Sequence, residues 1–221
     1  MRPNLAALVR LMVVTDDALV AGRDLVELAR ALERGGATAL QLRLKAAPAR
    51  ALAEAARAVL AQVRLPVLLN DRPDVAIAVG AAGVHLGPDD LAPRLARRIA
   101  PEGFVIGASV GSAGEAAGAA PADYWGVGPW RATATKGDAG AAIGADGFGA
   151  VVALAGGRPC IAIGGVRPED VDAVLRAGGA GVAVASGVLG AADPEPATRA
   201  YAAALAAAPR RADGAAGPSE G

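Results

Sequence analysis

The chain has 221 residues, enough for one large domain with a substantial core or at most two small ones. Its 22 lysines and arginines balance 22 aspartates and glutamates, so no global field favours nucleic acid or an anionic membrane surface as partner, and anion recognition has to come from local charges. The single cysteine, Cys160, cannot close an internal disulfide and fits a reducing cytoplasm, and no run approaches the ~20 apolar residues that span a bilayer.

The N-terminal "MRPNLAALVRLMVVTDD" is briefly apolar, but Arg10 interrupts it and two aspartates close it. It reads as a short helix or turn before a first strand, not as a signal peptide. Strand-type runs are then predicted at 11–16, 39–45, 66–71, 83–87, 104–109, 124–129, 160–165 and 181–186. Amphipathic segments lie between them. Leu25, Leu28, Ala29 and Leu32 fall on one helical face, and Leu52, Ala56, Val59 and Val63 repeat that spacing. Gly35–Gly36 and Gly178–Gly179 sit where helices end, and Pro168 with Glu169 and Asp170 suits a first helical turn. Eight strand–helix units predict a single (β/α)8 TIM barrel over residues 1–208. The tail "RRADGAAGPSEG" has no apolar period, so residues 209–221 are expected to be disordered.

In such barrels the reactive groups sit at the C-terminal ends of the strands, and these ends are polar. In "QLRLK", Gln41, Arg43 and Lys45 alternate with Leu42 and Leu44. A strand places alternate residues on one face, which would aim the amide and both cations into the barrel mouth. Asn70 and Asp71 follow the third strand, and Asp89 and Asp90 the fourth. Carboxylates from separate tips near fixed cations suggest a hard ion such as magnesium, with Asp90 favoured over Asp89 as the second ligand and the other acid left to cap a helix. Ser109 ends the fifth strand. The loop "GPWRATATKGDAG" carries Thr133, Thr135 and Lys136, which suit closure over an anion. Gly165, Ala185 and Ser186 follow strands seven and eight, where backbone amides of this architecture bind phosphate. The mouth therefore reads as built for two phosphorylated groups.

The stretches "GGATALQLRLK", "LLNDRPDVAIAVGAAGVHLGPDDL", "ADYWGVGPWRATATKGDAG", "IAIGGV" and "GVAVASGV" resemble the thiamine phosphate synthase family, and the likeness covers nearly the whole barrel. The resemblance implies a cytoplasmic transferase that couples hydroxymethylpyrimidine pyrophosphate with hydroxyethylthiazole phosphate by a dissociative, magnesium-assisted route. It implies that Asp71 and Asp90 hold Mg2+, and that Arg43, Lys45 and Lys136 stabilise the leaving pyrophosphate. Gln41, Asn70 and Ser109 would orient the pyrimidine, while Thr133, Thr135, Gly165, Ala185 and Ser186 would hold the thiazole phosphate. Partners would be small molecules alone, with a homo-oligomer left open.

The chain departs from the family's commoner pattern at Leu44, at Met12 in place of a tyrosine, at Pro73 just after the third tip, and at Arg131–Ala132 leading into the sixth loop. Arg131 adds a cation to that loop. His85, the only histidine, is better explained as a hydrogen-bonded structural residue than as a catalytic one. Cys160 and Trp125 read as packing residues, and Trp130 either walls the pyrimidine or seals the loop. Two rival functions stand beside the synthase, a thiazole tautomerase on the same barrel and a non-catalytic phosphate-ligand binder. The tautomerase depends on a histidine after strand five, where this chain reads "ASVGSAGE".

Overall fold

Short β-branched and leucine-rich runs, each too apolar to face water, alternate with helical segments that are apolar on one side only. That pattern closes into a parallel barrel in the computed structural model, which describes residues 4–132 and 141–208. The strands are β1 (Leu11–Val14), β2 (Ala39–Leu42), β3 (Val67–Asn70), β4 (Gly83–Leu86), β5 (Val105–Val110), β6 (Tyr124–Val127), β7 (Cys160–Ile163) and β8 (Gly181–Val184). They pair in chain order, and β8 returns to β1 through Leu11 and Val182. The predicted (β/α)8 architecture is therefore the observed one. The helices are α1 (Leu5–Leu8), α2 (Asp17–Val20), α3 (Leu25–Arg34), α4 (Ala49–Leu60), α5 (Pro73–Ala78), α6 (Pro93–Ile99), α7 (Ala116–Ala119), α8 (Gly144–Ala153), α9 (Val171–Arg176), α10 (Ser186–Leu189) and α11 (Pro194–Ala207). None of them is long and apolar enough to cross a membrane.

The strand alternation sorts side chains into two cores. Leu40, Leu42, Val67, Leu69, Val84 and Leu86 point outward and meet the helices, where Leu28, Leu32, Leu52, Ala56 and Val59 supply the facing stripes. Each fully buried leucine there contributes roughly 1.5–3 kcal/mol relative to an exposed one. Met12, Val14, Ala39, Leu68, Tyr124 and Ile161 fill the barrel itself. Helix α3 starts at Asp24, whose carboxylate accepts the Val26 and Glu27 N–H groups. Pro73 takes the first position of α5, where its missing N–H costs nothing.

Two inward glycines make room for inward rings. A Cβ on Gly107 would lie 2.2 Å from Tyr124 Cζ, and one on Gly126 would lie 3.1 Å from His85 Cε1. Tyr124 is fully buried with neighbours on every side, so its ring cannot swing away. The Gly107→Ala variant is expected to lose about 1–3 kcal/mol of stability or more, the cost of overpacking a core. Urea denaturation measures it, and an unchanged midpoint would mean the ring has somewhere to go.

All the strands but β5 stop earlier at their C-terminal ends than the sequence suggests. The predicted 39–45 strand ends at Leu42. The Arg43 N–H leaves the ladder and donates instead to Thr15 Oγ1 at 2.6 Å. Arg43 and Lys45 are thus loop residues above the barrel, and strand alternation governs Gln41 alone of the three.

Candidate active site

The C-terminal ends of the strands surround a cavity of about 650 Å³. Thr15, Asp16 and Arg43 line one side of it, and Gly164, Gly165, Ala185 and Ser186 another. A smaller cavity of about 240 Å³ opens beside it, lined by Asp90 and sharing Pro88, Ser109 and Glu115 with the first.

Thr15, Asp16 and Asp17 follow the first strand, and these residues build the cationic side. Thr15 accepts the Arg43 N–H and donates its hydroxyl to the Arg43 carbonyl at 3.0 Å, which fixes the chain where it leaves β2. The Asp16 carboxylate lies 3.0 Å from Arg43 Nη1 and also caps α2. Asp17 accepts the Lys45 N–H at 3.0 Å. The Arg43 head is therefore held at the cavity wall, mostly shielded from water, while Lys45 is half-exposed. The sequence reading missed this threonine and both aspartates as site residues. The polar run closing the first strand is the same signal that marked the third strand's tip.

Lys45 reaches Asp71, with Nζ 3.2 Å from Oδ2. Asp71 sits in the left-handed region at φ +65°, uncommon for a residue other than glycine but better tolerated by aspartate than by most. Its carboxyl group faces that of Asp90. Burial and Asp90 push the Asp71 carboxyl above the usual aspartate range, and Lys45 only partly offsets them. Neither acid caps the helix that follows it, since the cap positions fall to Arg72 and Ala92. Asp90 is anchored by the Gly87 N–H at 2.7 Å, whereas Asp89 is exposed. Among the described residues no third carboxylate, histidine or cysteine joins the pair in a metal-binding group. Two crowded oxygen donors with coordination left for substrate oxygens and water are a donor set that suits Mg2+.

The pyrimidine-orienting residues expected from the sequence lie inside or at the mouth. Gln41 is buried within the barrel, its Nε2 3.6 Å from Met12 Sδ. Asn70 ends β3 opposite His85, on the inward side by alternation from Leu68. Ser109 Oγ lies 3.0 Å from His85 Nε2, and His85 Nδ1 lies 2.9 Å from the Tyr124 hydroxyl. His85 is thus a hydrogen-bonded interior residue. Tyr124 escaped notice because an apolar strand context hides which of its aromatic residues faces inward.

Gly164 and Gly165 both adopt positive φ, +90° and +71°, which only glycine takes without cost. A Cβ on Gly164 would also fall 2.9 Å from Pro129 Cα. Ser186 and Gly187 open α10 at the cavity wall, where first-turn N–H groups have no helical acceptor. Trp130 is buried edge-on against Phe148 and is not among the residues lining the cavity. Arg131 is not a free loop cation. Its Nε lies 3.0 Å from Asp170 Oδ2 and its Nη2 also contacts that carboxylate. Trp125 and Cys160 are packing residues, as expected, and burial pushes the Cys160 thiol up to about 11. Thr133, Thr135 and Lys136, like the 209–221 tail, lie outside the described residues.

Comparison with known proteins identifies the family and agrees with the fold. The family model described as thiamine monophosphate synthase matches residues 11–188. The thiamine-phosphate synthase of Azorhizobium caulinodans is 48% identical over 197 residues, which are 86% of this chain and 91% of that one. The thiamine-phosphate synthase of Xanthobacter autotrophicus is 50% identical over 203 residues, 90% and 96% of the two chains. The solved thiamine phosphate pyrophosphorylase of Pyrococcus furiosus superposes with a TM-score of 0.82 at 38% identity, covering 92% of this chain and 98% of its own. With its barrel matched from the first strand to the start of α10, the chain belongs to the thiamine monophosphate synthase family.

Proposed function

We propose that this enzyme is a thiamine-phosphate synthase, a transferase joining hydroxymethylpyrimidine pyrophosphate to hydroxyethylthiazole phosphate with Mg2+ as cofactor. The observation that carries the reading is a barrel mouth whose strand ends offer settings for two different phosphorylated groups. Arg43 and the Gly164–Gly165 and Ala185–Ser186 backbone turns line its larger cavity, and the Lys45–Asp71–Asp90 cluster lies on the loops after β2, β3 and β4.

The bond from the pyrimidine methylene to the diphosphate oxygen breaks, and its electron pair leaves with pyrophosphate. The thiazole nitrogen then shares its lone pair with the cationic methylene carbon, which gives thiamine phosphate. No protein nucleophile is needed. What the chain supplies is charge stabilisation for the departing diphosphate and alignment of two rings. Arg43 and Lys45 meet the developing negative charge. Mg2+ held by Asp71 and Asp90 would add Lewis-acid stabilisation of the same oxygens. Gln41, Asn70 and Ser109 orient the pyrimidine, and Gly165, Ala185 and Ser186 bind the thiazole phosphate. Thr133, Thr135 and Lys136 are assigned their roles by the family resemblance.

Incubating the protein with both substrates, with and without Mg2+, tests the reading. Thiamine phosphate and pyrophosphate formed in equal amounts, only with metal, are expected. Isomerisation of the thiazole alone would make it a tautomerase, and binding without turnover a ligand sensor.

A further inference from the structure

The barrel interior holds a line of polar side chains running from its middle to its mouth. Gln41, Tyr124 and His85 are buried in it, and Ser109 ends it at the cavity wall. Burying polar groups is costly unless each donor meets an acceptor, and the described residues leave no deeply buried side-chain nitrogen or oxygen without a partner. Gly107 and Gly126 give up their side chains where the Tyr124 and His85 rings lie, so the arrangement has space built for it.

The direction of these bonds follows from counting protons. A neutral imidazole has one donor and one acceptor nitrogen, and a tyrosine hydroxyl has one proton. Burial holds the Tyr124 phenol protonated far above its ordinary range. The Tyr124 proton then has two acceptors to choose from, His85 Nδ1 at 2.9 Å and the Met12 thioether at 3.8 Å. The imidazole nitrogen is nearer, and a thioether is a weak acceptor. With Nδ1 accepting, Nε2 carries the imidazole proton and donates it to Ser109 Oγ across 3.0 Å. That leaves the Ser109 proton free to point into the cavity.

We propose that Tyr124 and His85 are positioning residues that make Ser109 a hydrogen-bond donor toward the cavity, selecting a heteroaromatic substrate that presents a ring-nitrogen acceptor there. The inference rests on the proposed function for the identity of that substrate, the pyrimidine. The opposite bond direction would make Ser109 an acceptor and select an amino or N–H group instead.

His85 is the only histidine in the chain. Nitrogen-isotope-labelled histidine in the full-length enzyme therefore reports one ring by NMR. The Nε2–H tautomer is expected, and the Nδ1–H tautomer overturns the proposal whatever the enzyme's activity. Kinetics supply a second reading. Tyr124→Phe and Ser109→Ala should each raise KM for the pyrimidine substrate about tenfold, the effect of one lost hydrogen bond. Neither should move KM for the thiazole phosphate comparably. The double variant should be no worse than Ser109→Ala alone, because both changes remove one function. Additive losses, or equal rises in both KM values, overturn the proposal. Wild-type protein that forms no thiamine phosphate would instead defeat the proposed function, and the tautomer would still decide the hydrogen-bond direction.

Discussion

Replacing Asp71 by asparagine is expected to abolish magnesium-dependent turnover, by about 10³-fold or more, while stabilising the metal-free protein at neutral pH. The first effect is the loss of one of the two proposed acidic ligands to an ion that would offset the leaving group's charge. The second follows from the crowding of Asp71 against Asp90. Burial and the neighbouring carboxyl group raise the Asp71 pKa in the folded chain, above the ~3.9 of an unfolded aspartate. The folded state therefore holds that proton more tightly than the unfolded one. The stability so gained is full below about pH 3.9 and is lost as pH rises through the folded-state value. Asparagine has no charge to lose, tolerates the left-handed backbone at this position, and can hydrogen-bond Asp90. Thermal denaturation in chelator at acid and neutral pH reads the difference directly. Added Mg2+ with pyrophosphate should raise the wild-type midpoint by ligand linkage and leave the variant's unchanged. A variant that turns over normally with metal, or responds to Mg2+ as wild type does, would remove the metal assignment.

The same crowding explains why the site was partly legible in the sequence. "LLND" announces itself because two polar residues end a strand that is otherwise apolar, and an interior strand has no structural reason to end so. The Gly164–Gly165 pair after strand seven announces a close backbone approach in the same way. Eight apolar runs separated by helical periods were sufficient for the barrel, since register and closure follow from parallel pairing and short connections. Strand ends were harder. Alternation in "QLRLK" suggests a strand to Lys45, yet the chain leaves the ladder after Leu42 because the Thr15 hydroxyl captures the next backbone pair. That bond joins residues 28 apart and has no local signature. The roles of Asp16, Tyr124 and Arg131 were hidden for the same reason, each being set by a partner from a distant strand or loop.

Arg43→Ala should slow the chemical step by about 10²–10³-fold with a smaller change in substrate affinity, the range found when a preorganised charge-stabilising donor is removed. Arg43 is preorganised in two senses. Its backbone is clasped on both sides by the Thr15 hydroxyl, and its guanidinium is oriented by Asp16 from a largely shielded position. One of its five N–H donors is used by Asp16, which leaves the rest of the fork for diphosphate oxygens. In this low-dielectric wall its charge acts more strongly than the half-exposed charge of Lys45. The Lys45→Ala loss should accordingly be the smaller of the two. Arg43→Lys keeps the charge but not the planar fork, so it should recover only part of the rate. Diphosphate carries more negative charge as it departs than while still bonded to the methylene. Interactions with Arg43 therefore strengthen toward the transition state, and the loss belongs in the single-turnover rate rather than in KM. Rapid-quench measurement of thiamine phosphate formation separates the two. An Arg43→Ala rate within threefold of wild type would mean that Arg43 serves the fold and that the departing charge is met elsewhere.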